Sequence, residues 1–248
     1  NERWRNVIIH EIAHQWFGNS VTEFSWDDIW LSEGFATYFT LLFIEHEYGQ
    51  DEFIKGLKSS KKTVDNFHKK YPNYTVIHND LKDMKDVTSV QTYQKGSWIL
   101  HMLRGLLGTK IFWKGIRAYY LKYKDLNAST KDFKTIMEEV SGKDLTKFFD
   151  QWLYKPGNLV LDGVWKYDKN LQEITLKLKQ VQKENIIIEM PIEIGIEYGK
   201  DEYKIEKINL KESNRLYKIK TDKEPLDVNI DPNMWVLKKY TLKKIKSS

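Results

Sequence analysis

The hydrophobic period of this chain changes once, near the turn Lys155-Pro156-Gly157-Asn158, and that change limits the folds open to it. Before the turn, apolar residues recur at three- and four-residue spacing through Val7–Phe17, Leu31–Ile44, Tyr93–Leu107, Ile111–Tyr123 and Phe133–Val140, the period of helices with one buried face. Breakers separate these runs: Gly18-Asn19, Gly49, Pro72-Asn73, Gly108 and Ser141-Gly142. Thr130 and Asp132 precede the last run and mark a helix start. After the turn the period becomes two. Ile174, Leu176 and Leu178 alternate with polar residues, as do Ile188, Met190, Ile192, Ile194, Ile196 and Tyr198. One apolar face at period two predicts half-buried antiparallel strands. Shorter strands fit Tyr203–Leu210, Leu216–Lys220 and Leu226–Ile230, and Pro191 belongs on an edge or at a bulge. The expected division is a helical domain over residues 1–154, a β domain over 155–240 and a lysine-rich tail over 241–248.

Composition removes several classes of function. The 248 residues contain no cysteine, which excludes disulfides, thiolate metal sites and cysteine nucleophiles. The 40 basic and 35 acidic residues leave a net charge of only +5, too diffuse to predict a nucleic-acid partner. The longest apolar stretch, Phe35–Ile44, is too short to span a bilayer, so no transmembrane segment is expected. No signal peptide is visible, and the first residue is Asn1 rather than methionine, as expected of a processed or excised chain. No G-x-S-x-G elbow, P-loop or dinucleotide fingerprint occurs.

The chemistry lies in the first third. His10-Glu11-Ile12-Ala13-His14 is an H-E-x-x-H pentad within a predicted helix. Four-residue spacing stacks both imidazoles on one face, where they can reach a single ion. Glu11 projects about 100° round from His10, beside such an ion, where a general base for an activated water belongs. The alternative is a surface helix that happens to carry two histidines. Val7, Ile8, Ile9, Ile12, Trp16 and Phe17 around the pentad argue against it, because imidazoles in apolar surroundings need partners.

Glu33 follows His14 after eighteen intervening residues, within Trp30-Leu31-Ser32-Glu33-Gly34-Phe35-Ala36. With this spacing the chain resembles the zinc aminopeptidases of the aminopeptidase N type, gluzincins that also include the leukotriene hydrolases. Gln15-Trp16-Phe17-Gly18-Asn19 and Trp26-Asp27-Asp28-Ile29-Trp30-Leu31 are similar to the family's text between its ligands. The resemblance implies one Zn2+ held by His10, His14 and Glu33, with Glu11 as the base. Tyr93-Gln94-Lys95-Gly96 resembles the family's tyrosine-x-lysine-glycine segment, which gives Tyr93 the role of oxyanion donor beside zinc. Asp150-Gln151-Trp152 is similar to the end of the family's catalytic domain and reads as packing. The implied fold class is α+β, a mainly helical, thermolysin-like catalytic half followed by a small antiparallel β-sandwich. The implied reaction is removal of N-terminal residues from peptides by a zinc-activated water.

Two departures qualify the match. Thr40 stands seven residues after Glu33, where many relatives carry a carboxylate able to orient a histidine. Relatives also carry, upstream of the pentad, a β-rich domain and a segment whose glutamate grips the substrate amine; only nine residues precede His10 here. The expected partners are therefore peptide substrates and an upstream domain of the same parent. The competing expectation is a weak or inactive zinc-containing fragment acting as a binding module. A third, hydrolysis of a lipid epoxide, has no positive sequence feature. Outside the site, His46-Glu47 lacks a second histidine, His68 and His78 are expected to be solvated, and His101 to be a core histidine.

Overall fold

The computed structural model describes residues 2–78, 83–184, 186–200 and 202–246. The chain forms two compact units, Asn1–Gly157 and Asn158–Ser248, with an α+β architecture. Among the described residues no helix is long and apolar enough to cross a membrane.

The first unit is built around α2 (Trp30–Tyr48), which buries Trp30, Leu31, Phe35, Ala36, Tyr38, Leu41 and Ile44. A helix apolar on so many sides must be enclosed by other elements. Its partners include α1 (Glu2–Ala13), α3 (Gln50–Lys70) and α4 (Gly96–Leu107). α5 (Thr109–Tyr123) and α6 (Thr130–Ser141) pack on each other. Short α7 (Thr146–Phe149) runs into a π-helical turn over Asp150–Tyr154 that buries Trp152. The start of α6 is a capping box: Ser129 accepts from the Asp132 amide, and Asp132 accepts from the Ser129 amide.

Two devices in this unit position the site. The first is a parallel pair, β1 (Val21–Glu23) with β2 (Leu126–Ala128). It ties the segment between α1 and α2 to the start of α6. Asp28 reinforces the tie by accepting from the Thr130 amide at 2.7 Å and from Ser25 Oγ at 2.8 Å. The second is a close backbone crossing. A Cβ built on Gly34 would lie 3.0 Å from the Gly96 carbonyl carbon, and one on Gly96 would lie 3.1 Å from Gly34 Cα. Glycine at both positions lets α2 touch the start of α4, which is preceded by a π-helical turn over Gln91–Lys95.

The second unit holds two sheets. The four-stranded sheet has the order β7 (Asn214–Lys220), β4 (Glu173–Gln180), β3 (Leu159–Asp168), β9 (Lys238–Lys244). The three-stranded sheet has the order β6 (Glu202–Leu210), β5 (Met190–Gly199), β8 (Asp227–Ile230). Trp165, Leu176, Ile194 and Ile196 lie in the core. Pro191 pairs with Asn209 on one side, whereas β8 joins the other side of β5 only from Ile194 onward, so the proline needs no second ladder.

Some sequence expectations are corrected here. The lysine-rich stretch expected as a tail from residue 241 is strand through Lys244. It runs parallel to β3 in an otherwise antiparallel sheet, with Leu159 opposite Lys238 and Trp165 opposite Lys244. Lysine tolerates such a position because its stem lies along apolar surface while its ammonium finds water or a carboxylate; Lys238 is buried on Asp231 at 2.6 Å. His68 lies within α3, half-buried, rather than in solvated loop. His78 is likewise half-buried, packed edge-on against Tyr74 at 4.2 Å between ring centroids. His101, by contrast, is the core histidine expected, buried with Nδ1 3.1 Å from the Tyr38 hydroxyl.

Candidate metal centre

His10 and His14 stand one turn apart on and just beyond the end of α1, and Glu33 projects from the first turn of α2. Their ligating atoms form a small triangle. His10 Nε2 is 3.1 Å from Glu33 Oε2, His14 Nε2 is 3.1 Å from His10 Nε2, and His14 Nε2 is 3.3 Å from Glu33 Oε2. Among the described residues this is the one group of three such side chains close enough to hold a metal ion. A tetrahedral ion with bonds of about 2.0–2.1 Å separates its ligands by about 3.3–3.4 Å, so the triangle matches one face of that polyhedron. Two imidazoles and one carboxylate are also the borderline donor set suited to a divalent transition metal.

The second histidine is held in the tautomer a metal requires. His14 Nδ1 lies 3.0 Å from the Phe17 carbonyl oxygen and 3.2 Å from Ser32 Oγ. A proton on Nδ1 donated to that carbonyl leaves the Nε2 lone pair pointing into the triangle. Gly18 makes this arrangement possible. Its φ is +128°, and a Cβ there would lie 2.6 Å from Ser32 Oγ and 2.9 Å from His14 Nδ1. Thr40 does not serve the histidines in this way, since its hydroxyl donates to the Ala36 carbonyl at 2.9 Å.

Charge and burial complete the picture. Burial pushes the Glu33 carboxyl upward, but hydrogen bonds from His10 and His14 outweigh it and hold the group down at about 2. The Glu33 hydrogen bond raises His14 above the usual histidine range, against the lowering effect of burial. In the metal-free site the Glu33 carboxylate thus favours a proton on His14, and a cation entering the site competes with that proton.

Tyr93 comes from the π-helical turn that the Gly34–Gly96 crossing holds against α2. Its ring stacks on His10 at 5.9 Å between centroids, and its hydroxyl lies within the field of the Glu33 carboxylate. Burial and the Glu33 charge raise the phenol above its ordinary value, so it remains a neutral donor at physiological pH. Glu11 is exposed and lines a cavity of about 1030 Å³ together with His10 and Tyr93. The structure thus brings all five residues singled out in the sequence to one place. Sequence reasoning missed the Phe17 carbonyl, Ser32 and the steric role of Gly18. The only available signal was a glycine directly after the apolar run Val7–Phe17, which marks a turn and says nothing of a histidine behind it.

Residues 1–152 match the peptidase family M1 domain. The chain belongs to peptidase family M1. Among similar proteins, aminopeptidase N of Lactococcus lactis subsp. lactis is 36% identical over 163 residues, which are 63% of this chain and 19% of that protein. The probable aminopeptidase 2 of Sulfurisphaera tokodaii is 31% identical over 233 residues, 92% of this chain and 29% of that protein. Among solved structures, Legionella pneumophila aminopeptidase A in complex with aspartic acid superposes with a TM-score of 0.81 at 19% identity. That match covers 98% of this chain and 27% of the other, and it shows the shared fold. The M1 chain described here spans less than a third of each of these relatives.

Proposed function

We propose that this M1 chain carries the zinc centre and the acid–base machinery of an aminopeptidase. The observation that carries the reading is the convergence of three ligating atoms within 3.1–3.3 Å of one another, with His10 lining the same cavity as Glu11 and Tyr93. His10, His14 and Glu33 are the residues that would hold one zinc ion. Bound there, zinc would supply Lewis acidity toward a water molecule and the scissile carbonyl.

The remaining steps belong to the chain. The Glu11 carboxylate, exposed to the cavity, takes a proton from the attacking water and delivers it to the departing amine. The neutral Tyr93 hydroxyl donates to the carbonyl oxygen as negative charge develops on it, a role in which a preplaced donor contributes about 10²–10³-fold. Ser32 and the Phe17 carbonyl keep the His14 ring from rotating during turnover. The names of the relatives, aminopeptidase N and probable aminopeptidase 2, support cleavage from the free amino end.

Incubating the protein with a peptide and its N-acetylated twin, followed by mass spectrometry, tests the reading. Stepwise loss of N-terminal residues from the free peptide alone is expected. Glu11→Gln should retain zinc while losing about 10²-fold or more in turnover. Cleavage of the acetylated twin, or an active Glu11→Gln variant, would overturn it; zinc binding with no turnover would favour the binding module instead.

A further inference from the structure

A lysine two residues beyond Tyr93 is wholly enclosed. Lys95 closes the π-helical turn Gln91–Lys95 and is 0% exposed, although lysine is among the side chains least often buried. Its Nζ donates to the Gly157 carbonyl oxygen at 2.9 Å, across 62 residues of sequence and within the same unit. Gly157 has φ +87° and follows the second π-helical turn, Asp150–Tyr154, by three residues. That second turn is held in its own right, because the Leu153 carbonyl accepts from the amides of Val76 and Ile77, each at 3.1 Å. Lys95 is therefore anchored on a fixed point.

Burying an ammonium costs free energy that an apolar side chain of similar length would not incur, so packing alone does not explain a lysine here. Its place in the turn does. Residues two apart in a helical turn project roughly 160–200° from one another. Tyr93 accordingly faces the metal triangle, its ring 5.9 Å from that of His10, while Lys95 points to the other side and ends on Gly157. The backbone between these two anchors is gripped again at Gly96, whose missing Cβ permits the contact with Gly34. At the start of the turn Gln91 Nε2 donates to the Tyr74 carbonyl at 3.4 Å. A π-helical turn is a rare conformation found mostly at functional sites, and both ends of this one are tied to structure outside it.

We propose that Lys95 is the positioning residue for the oxyanion donor: its hydrogen bond to Gly157 fixes where the π-helical turn sits, and through it the Tyr93 hydroxyl beside the metal site. The proposal rests on the role given to Tyr93 in the aminopeptidase reading above. A donor works on a developing oxyanion only when it is already in place, and a shift of about 1 Å can cost about 10²-fold. A side chain that touches no substrate can thus govern one that does.

A double-mutant cycle separates this from a purely structural role. The readout is the affinity of the zinc-loaded protein for a phosphinic dipeptide, whose tetrahedral oxyanion takes the place of the reacting carbonyl, so no turnover is needed. Tyr93→Phe should weaken binding about tenfold or more, the usual effect of losing a hydrogen bond to a charged acceptor. Lys95→Met should weaken it about fivefold or more with Tyr93 present, but less than about twofold in the Tyr93→Phe background. Zinc content should be the same in all four proteins. Lys95→Gln, which keeps an N–H donor, should recover part of the loss. Gly157→Ala strains the backbone at φ +87° and disturbs the same hydrogen bond from the acceptor side; it should repeat the pattern even where Lys95→Met does not fold. Equal losses in both backgrounds, or Lys95→Met and Gly157→Ala proteins that each bind as the parent does, overturn the proposal. A Tyr93→Phe protein that binds the phosphinic peptide as tightly as the parent removes the role of Tyr93 and this proposal with it, whereas equal losses in the cycle leave that role standing.

Discussion

Replacing Gly18 by alanine adds one methyl group at a position that contacts no substrate, yet it should weaken metal binding. The residue has φ +128°, and the added Cβ would sit 2.6 Å from Ser32 Oγ and 2.9 Å from His14 Nδ1. Two costs follow. A side chain in so sparsely populated a backbone region costs of order 1–3 kcal/mol. The contacts cannot both be relieved unless His14 and Ser32 move, which opens the 3.0 Å approach of His14 Nδ1 to the Phe17 carbonyl. Loss of such an orienting hydrogen bond typically lowers metal affinity about 10–100-fold. Zinc affinity by chelator competition and the melting temperature of the metal-free protein separate the effects. Gly18→Ala should lower both, whereas Gly49→Ala, with positive φ but nothing within 4 Å of its Cβ, should lower only the second. A Gly18→Ala protein that binds zinc within twofold of the parent would refute the claim that this glycine makes room for the ligand.

Gly34→Ala should force α2 from the start of α4, since its Cβ would meet the Gly96 backbone at 3.0 Å. The expected result is a loss of about 1–3 kcal/mol in denaturant titrations and a fall in turnover as Tyr93 shifts from its place against the His10 ring. Tyr93→Phe should lower kcat about 10²–10³-fold with little change in substrate affinity, and a variant within twofold of the parent would remove its role. Zinc affinity should fall on acidification from above pH 6.5 downward, because His14 is raised from its ordinary 6.5 and must release a proton to bind. In the metal-free protein the linkage has two signs. The His14 contribution is complete below pH 6.5 and fades as pH rises through the raised value. The Glu33 contribution is complete above its ordinary 4.5 and fades toward about 2. Stability of the metal-free fold should therefore peak between those limits, as pH-dependent thermal melts would show.

The helix-to-strand change is plain in the sequence because it rests on local period. α3 is not, for it buries only Phe53, Leu57 and Val64 among serines, lysines and charged residues, too few apolar positions to announce a 21-residue helix. β3 and β9 were also absent from the expected strands. β9 hides because its inward positions include Lys238, whose stem does the work of an aliphatic side chain. At the site, four-residue spacing is enough to bring His10 and His14 together. Glu33 lies 23 residues from His10, and its approach depends on the β1–β2 pair, the Asp28 bonds to the start of α6 and the Gly34–Gly96 crossing. Those are long-range contacts with no local pattern. The π-helical turn beneath Tyr93 is illegible for the same reason. Local period also misleads once: Val7, Ile8, Ile12 and Trp16 read as the surroundings of buried histidines, but each is 42% exposed or more.

The metal centre is the claim on which the rest depends, and crystallography at the zinc absorption edge tests it directly. The account predicts one anomalous peak within about 2.0–2.2 Å of His10 Nε2, His14 Nε2 and a Glu33 carboxylate oxygen, absent from His14→Ala. A peak elsewhere in the chain, or a full equivalent of zinc retained at the same position by His14→Ala, would contradict it.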